Sequence, residues 1–90
     1  MNNTINSNAL TKHINADRIV IRWPKKRIEQ DTILQYLAEK FAQNRIYSEQ
    51  EVNDIIKQSI AFEDYALIRR ELFERDYMNR TDDCRKYWKK

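Results

Sequence analysis

The heptapeptide that decides the fold is Tyr47-Ser48-Glu49-Gln50-Glu51-Val52-Asn53, in the middle of a chain of 90 residues. Ser48 and Glu51 have the spacing of a capping box. In this motif the serine hydroxyl accepts a hydrogen bond from the amide of Glu51, and the glutamate carboxylate accepts one from the amide of Ser48. Apolar residues follow at the spacing of one helix face, namely Val52, Ile55 and Ile56. The sequence therefore predicts a helix over residues 49–59.

An earlier helix is predicted over residues 25–42. It follows the β-branched and aromatic run from Arg18 to Trp23, which favours an extended conformation. Pro24 ends that run, because the residue before a proline is disfavoured in the helical region, whereas proline itself fits the first turn of a helix. The apolar positions of this first helix share one face, namely Ile33, Leu34, Leu37, Ala38 and Phe41.

The C-terminal half of the chain predicts a third helix and a hairpin. The helix covers residues 63–75, and its apolar stripe contains Phe62, Tyr65, Ala66, Ile68, Leu72 and Phe73. Two strand-like runs, 77–80 and 85–88, flank a short polar turn. Asp82 and Asp83 lie in this turn, where neighbouring side chains diverge, so they are predicted to shape the turn rather than to bind a metal.

These elements, with a brief strand over residues 45–47, follow the order of a winged helix-turn-helix domain. The predicted fold class is therefore α+β, a small winged helix-turn-helix-like domain with three helices and a C-terminal β-hairpin. We expect it to occupy residues 17–90, behind a flexible, Asn-rich lead-in over residues 1–16. The predicted core consists of Ile33, Leu34, Leu37, Phe41, Val52, Ile55, Ile56, Ile68, Leu72 and Phe73.

Composition excludes several classes of function. The chain has no glycine, one cysteine (Cys84) and one histidine (His13). Glycine-rich phosphate loops are therefore excluded, as are an internal disulfide, a cysteine-cluster zinc site and a histidine-paired metal motif. No stretch approaches the ~20 apolar residues of a membrane span, and the N-terminal stretch lacks a secretory signal. We expect a cytoplasmic protein that is not an enzyme, with no cofactor, no small-molecule substrate and no membrane partner.

Charge is distributed unevenly along the chain. The whole chain carries a net charge of +3, but residues 48–76, which hold the second and third helices, carry −4. Residues 77–90 carry +3. A recognition helix must approach a polyanion, and its phosphate contacts come mainly from arginine, lysine and backbone amides. The third helix is therefore a poor candidate for insertion into the major groove.

The cations outside these helices predict a nucleic-acid interface of modest affinity, with double-stranded DNA as the expected partner. One group stands at the start of the first helix, where the helix dipole disfavours cations. A second group stands on and after the hairpin, interleaved with Tyr77, Tyr87 and Trp88. Cations among aromatic rings are typical of nucleic-acid-binding surfaces. The alternative is that these rings pack inward onto the helices. The predicted contact residues are Lys25, Lys26, Arg27, Arg80, Arg85, Lys86 and Lys89.

The alternative is a protein-interaction module that does not bind DNA. The outward face of the third helix would meet a basic partner or a second copy of the chain, with Leu67 as an exposed apolar anchor among charges. The residues of this face are Glu63, Leu67, Arg70 and Glu74. Arg69 lies within the apolar stripe of the same helix, so we predict a structural ion pair with Glu51 or Asp54 rather than a DNA contact.

Several motifs resemble a bacterial family, the domain-of-unknown-function family 2087. They are the heptapeptide 47–53, Ile68-Arg69-Arg70-Glu71-Leu72, and Arg80 followed by Tyr87-Trp88. The resemblance covers residues 19–88 and implies a compact winged-helix-like domain. Members of that family occur alone or behind a helix-turn-helix regulator, so the resemblance implies a loose link to transcription and no activity.

The hairpin turn departs from the family pattern, because Cys84 stands where the family usually has glycine. A left-handed turn position on a residue with a Cβ costs about 1 kcal/mol. The left-handed position falls either on Cys84 or on Asp83. The thiol of Cys84 is predicted to be a passive surface group.

Overall fold

The helices and strands follow the predicted order. The computed structural model describes residues 12–90. Its elements, in chain order, are α1 (Arg27–Ala38), β1 (Ile46–Ser48), α2 (Glu49–Ser59), α3 (Tyr65–Glu74), β2 (Met78–Arg80) and β3 (Lys86–Lys89). The α+β class is confirmed, because residues 27–89 form three helices and one small antiparallel sheet.

Helix α2 begins at the predicted capping box. The Ser48 hydroxyl accepts from the amide of Glu51 at 3.1 Å, and the Ser48 amide donates to Glu51 Oε1 at 2.8 Å. The predicted span of residues 49–59 is confirmed. The hydrogen bond from the Ser48 amide holds the pKa of Glu51 below its usual value.

The other two helices are shorter than predicted. Helix α1 does not continue to residue 42, because the chain tightens into turns in which the amides of Lys40 and Phe41 donate to carbonyls three residues back. Phe41 still reaches the core from this turn. Helix α3 begins two residues later than predicted, after Asp64, whose carboxylate accepts from the amide of Leu67 at 3.1 Å and caps the helix.

The sheet has the strand order β1-β3-β2, with both pairs antiparallel. The hairpin of β2 and β3 is the predicted one, and β1 joins it on the far side of β3. Tyr47 lies opposite Tyr87, and Tyr87 lies opposite Arg80. A strand that leads directly into α2 and completes a C-terminal hairpin is compatible with a winged helix-turn-helix arrangement.

The core lies between the three helices and the inner face of the sheet. Eight of the ten predicted core residues are buried, whereas Ile55 and Phe73 are half-buried and Ala66, placed on the apolar stripe, is exposed. Arg69 of α3 and Arg75, which follows the helix, are half-buried. Buried residues absent from the prediction complete the core, namely Val20, Ala38, Tyr47, Ile60, Met78 and Tyr87.

Residues 12–21 pack onto this core. Val20 forms an antiparallel bridge with Ile14 and a parallel bridge with Ile60, but the predicted extended run 18–23 forms no longer strand. Residues 12–16 lie within the lead-in that was predicted to be flexible and to hold an idle His13. His13 is 6% exposed, and its Nε2 is hydrogen-bonded to Glu29 Oε1 at 3.0 Å. Residues 1–11 of the predicted lead-in lie outside the described residues.

Candidate nucleic-acid interface

The hairpin turn is held by side-chain hydrogen bonds. Asp83 Oδ1 accepts from the Thr81 hydroxyl at 2.7 Å and from the Arg85 amide at 3.0 Å. The bond from Thr81 is the main reason that the pKa of Asp83 lies below its usual value. Cys84 has a φ of 62°, so the left-handed position falls on the cysteine and not on Asp83. Its side chain is half-buried rather than fully at the surface.

Two of the predicted contact residues, Arg85 and Lys86, come together at this tip. The Arg85 side chain is 84% exposed, and its Nε lies 3.8 Å from Asp83 Oδ2, which is a loose ion pair. Lys86, the first residue of β3, is also exposed. Exposed pairs of this kind contribute little to stability, so both cations are available to an anion in solution.

The other two hairpin cations are partly buried. The Arg80 guanidinium lies 4.0 Å from the centre of the Phe73 ring, which is a cation–π contact with α3. Lys89 is half-buried, and its Nζ lies 3.5 Å from the carbonyl oxygen of Phe41. Arg80 therefore anchors the hairpin to α3, and Lys89 lies at the opposite end of β3 from the turn.

The cluster Lys25–Arg27 is exposed where α1 begins. Asp31, one turn later, accepts a hydrogen bond from Arg75 at 2.9 Å, and its carbonyl accepts one from the Tyr77 hydroxyl at 3.2 Å. Residues 75–77 lead into β2, so this part of α1 is held at the base of the hairpin. The predicted cations therefore form two groups, one at the tip of the hairpin and one beyond its base, and not a single patch.

The outward face of α3 differs from the alternative prediction. Glu63, Arg70 and Glu74 are exposed as expected, but Leu67 is half-buried and is not the exposed anchor that was predicted. Glu71, on the same helix, has a side chain only 16% exposed that pairs with Arg75 Nε at 2.7 Å.

Arg69 has the predicted structural role with a different partner. Its guanidinium is half-buried and donates to Asn53 Oδ1 on α2. The predicted partners are already engaged, because Glu51 accepts from the Ser48 amide and Asp54 accepts from Gln50 Nε2 at 2.9 Å. A neutral amide therefore satisfies this arginine where a carboxylate was expected.

One end of the sheet has a groove that the sequence patterns did not predict. It is lined by Asn44, Arg45, Ile46, Trp88 and Lys89 and has a volume of about 420 Å³. Ile46 and Trp88 are directly opposite each other in the β1–β3 pair. The signal that reveals this face is the alternation along each strand, because Tyr47 and Tyr87 are buried and their neighbours must therefore point outward.

Comparison with known proteins identifies the family. The family model described as "Uncharacterized protein conserved in bacteria (DUF2087)" matches residues 19–89. The chain belongs to this family. No curated protein and no solved structure matches the chain significantly.

The residues that carry the resemblance to DUF2087 have mainly structural roles in this chain. Ser48 and Glu51 cap α2, Arg69 joins α3 to α2, and Leu72 and Tyr87 are buried in the core. Trp88 differs from them, because it lies on the outer face of the sheet and lines the groove. In residues 12–90, no helix is long and apolar enough to cross a membrane.

Proposed function

We propose that this DUF2087 domain binds nucleic acid through its hairpin, in a transcription-related role. The observation that carries the proposal is the position of Arg85 and Lys86, two adjacent exposed cations at the turn of the β2–β3 hairpin. The net charge of +3 and the pI of about 9.1 favour association with a polyanion. The resemblance of the sequence to a family linked to transcription supports the biological setting.

The contacts are expected to be directed at phosphates. Glu74 on α3 and Glu63, just before the helix, are exposed carboxylates that repel a phosphate backbone and make this helix unsuited to the major groove. Without base contacts from a recognition helix, sequence preference is weak. Two released counterions, one for each of the tip cations, give a slope of roughly −2 in a plot of log affinity against log salt.

The test is fluorescence anisotropy of a labelled DNA duplex, titrated at several salt concentrations between about 50 and 200 mM. The double variant Arg85→Ala/Lys86→Ala is expected to weaken binding by the same factor for duplexes of unrelated sequence, because phosphate contacts carry no sequence information. Its salt slope is expected to become shallower by roughly two.

The matched control is Lys25→Ala/Lys26→Ala, which removes the same charge from the start of α1. If the hairpin makes the contact, this control loses less affinity than the hairpin variant. Equal losses would mean that binding follows total charge, which contradicts the proposal. The absence of duplex binding at the lowest salt concentration would eliminate it.

A further inference from the structure

The outer face of the sheet carries an apolar pair that the core does not use. Ile46 is 61% exposed, and Trp88, its partner across the strand pair, is half-buried. On the inner face, Tyr47 and Tyr87 are each 2% exposed. An indole and an aliphatic side chain thus form part of an open groove of about 420 Å³ instead of filling the interior.

Cations and no carboxylate accompany this pair in the groove. Arg45 and Lys89 line it beside Asn44. Lys86 lies two residues before Trp88 in β3, so it is on the same outer face, between the groove and the hairpin tip. Arg85 and Lys86 therefore lie at the turn end of β3, and Arg45 and Lys89 line the groove at its other end.

Two of these cations, Arg45 and Lys89, already have partners within the chain, and the Arg45 guanidinium also lies over the Tyr47 ring, 4.5 Å from its centre. Arg45 Nη2 lies 3.3 Å from Glu51 Oε2, with both side chains about half exposed, at 57% and 48%. Exposed pairs of this kind exchange readily for another anion. Lys89 contacts a backbone carbonyl at 3.5 Å, which is long for a hydrogen bond.

An aromatic ring among cations fits a base that is stacked and flanked by phosphates. A duplex hides the faces of its bases, so a base can stack on Trp88 only where it is unpaired. A second copy of the chain docked symmetrically on this face would bring Arg45 and Lys89 of both copies together, which like-charge repulsion disfavours. The groove volume lies within the range of sites that hold small aromatic groups.

We infer that the Trp88 groove stacks an unpaired base of single-stranded nucleic acid, while Lys86, Arg45 and Lys89 contact the adjoining phosphates. The inference rests on the proposed function and extends it, because the cations of the hairpin tip and those of the groove lie at the two ends of the same strand, β3. The expected ligand is a strand with exposed bases, whereas the hairpin cations alone do not distinguish a single strand from a duplex.

Tryptophan fluorescence reports on this site directly once Trp88 is the only indole. The chain has two tryptophans, so the measurements are made on the Trp23→Phe protein, which keeps an aromatic ring next to Arg75. Titration with an oligothymidylate is expected to quench Trp88 emission as the base stacks. A duplex of the same length is expected to leave the emission largely unchanged while still binding by anisotropy.

Two variants separate stacking from a general loss of fold. Trp88→Ala is expected to weaken oligothymidylate binding by about 5- to 150-fold, the range found for one base on one aromatic side chain, and Trp88→Phe to weaken it less. Ile46→Glu leaves the indole in place and puts a carboxylate into the groove at an exposed position. It is expected to weaken single-strand binding and to leave duplex binding nearly unchanged, with a circular-dichroism spectrum like that of the parent.

The outcomes distinguish this inference from the proposed function. If duplex binding depends on Arg85 and Lys86 but Trp88→Ala binds oligothymidylate as tightly as the parent, the groove inference is wrong and the proposed function stands. If single strands quench Trp88 but no duplex binds, the groove inference stands without the duplex contact. The assignment to a single strand would be overturned if thymidine monophosphate bound as tightly as the oligomer. It would also be overturned if an oligoglutamate quenched Trp88 and displaced the oligomer.

Discussion

Individual residues adopt left-handed backbone conformations in a chain that has no glycine. Within residues 12–90, φ is between 61° and 69° at Arg18, Asn44, Asp76 and Cys84. Asn44 and Asp76 tolerate this conformation, since short polar side chains can hydrogen-bond to the nearby backbone. Arg18 and Cys84 have no such advantage, and each conformation costs about 1 kcal/mol. At Cys84 the bonds that Asp83 forms with Thr81 and Arg85 fix the turn and offset that cost.

A second residue-scale feature couples the N-terminal segment to pH. His13 is buried against α1 and is hydrogen-bonded to Glu29, and Lys12 Nζ lies 3.6 Å from the other carboxylate oxygen of Glu29. The hydrogen bond with His13 is the largest cause of a Glu29 pKa below the ordinary value of 4.5. A carboxylate whose pKa is lowered by folding stabilises the folded state above its unfolded pKa and loses that contribution as pH falls through its folded pKa.

We therefore predict that Glu29→Gln flattens the acid side of the stability profile. The parent loses the Glu29 contribution below about pH 4.5, the ordinary pKa in the unfolded chain, whereas the glutamine variant has no charge to lose. Urea unfolding of both proteins from neutral pH downwards measures this difference. His13→Phe removes the same hydrogen bond and should also flatten the acid side. Parallel curves for the parent and Glu29→Gln would contradict the prediction.

At the scale of elements, α2 is the helix whose start is fixed most locally. The Ser48 hydroxyl is the side-chain acceptor for the Glu51 amide, and alanine cannot replace it. Ser48→Ala is expected to lower the free energy of unfolding by about 1 kcal/mol. Ser48→Asp keeps an acceptor at the cap and should stay within a few tenths of a kcal/mol of the parent. Urea denaturation measures both, and equal stability of the alanine variant and the parent would contradict a contribution from the cap.

The difference between α2 and its neighbours shows what the sequence can predict. The bounds of α2 follow from contacts within four residues along the chain, so the capping box and the apolar spacing were sufficient. In α3, Phe62 was assigned to the helical stripe, but it precedes the capping residue Asp64 and lies outside the helix. With the correct start, Ile68 and Leu72 face the core and Ala66 points outward. A residue that lies outside the helix therefore shifts the centre of the predicted apolar stripe when it is counted in it.

Contacts between distant segments could not be predicted from local patterns. Val20 and His13 are buried only because residues 12–21 fold back against Ile60 and α1. Glu51 was predicted both as a member of the capping box and as a partner of Arg69. In the structure it serves the capping box, and Arg69 donates to Asn53 instead. The Trp88 groove depends on the register in which β1 pairs with β3. These two strands are short and no tight turn connects them, so their sequences do not specify that register.

At the scale of the whole molecule, Arg75 joins three segments, namely α1, α3 and the stretch that contains Trp23. From the turn after α3, its guanidinium donates to Asp31 at 2.9 Å and to Gln30 at 2.7 Å on α1, and its Nε lies 2.7 Å from Glu71 on α3. It also lies 5.9 Å from the Trp23 ring centre. The side chain is 12% exposed, so these bonds replace water around a largely buried charge.

We predict that Arg75→Lys lowers the free energy of unfolding by roughly 1–3 kcal/mol, because an ammonium is a point charge that cannot reproduce the planar fork that reaches two helices. The Asp31 side chain is 42% exposed, so water can hydrate it when Arg75 is replaced. The decrease in the free energy of unfolding is therefore smaller than for a fully buried ion pair. Arg75→Ala should lose more, since it also removes packing against Trp23. The matched control is Arg70→Lys on the exposed face of α3, which should change stability by less than about 0.5 kcal/mol. Chemical denaturation of the three variants compares these effects, and an Arg75→Lys protein as stable as the control would show that charge alone, without the fork, holds α1 to the base of the hairpin.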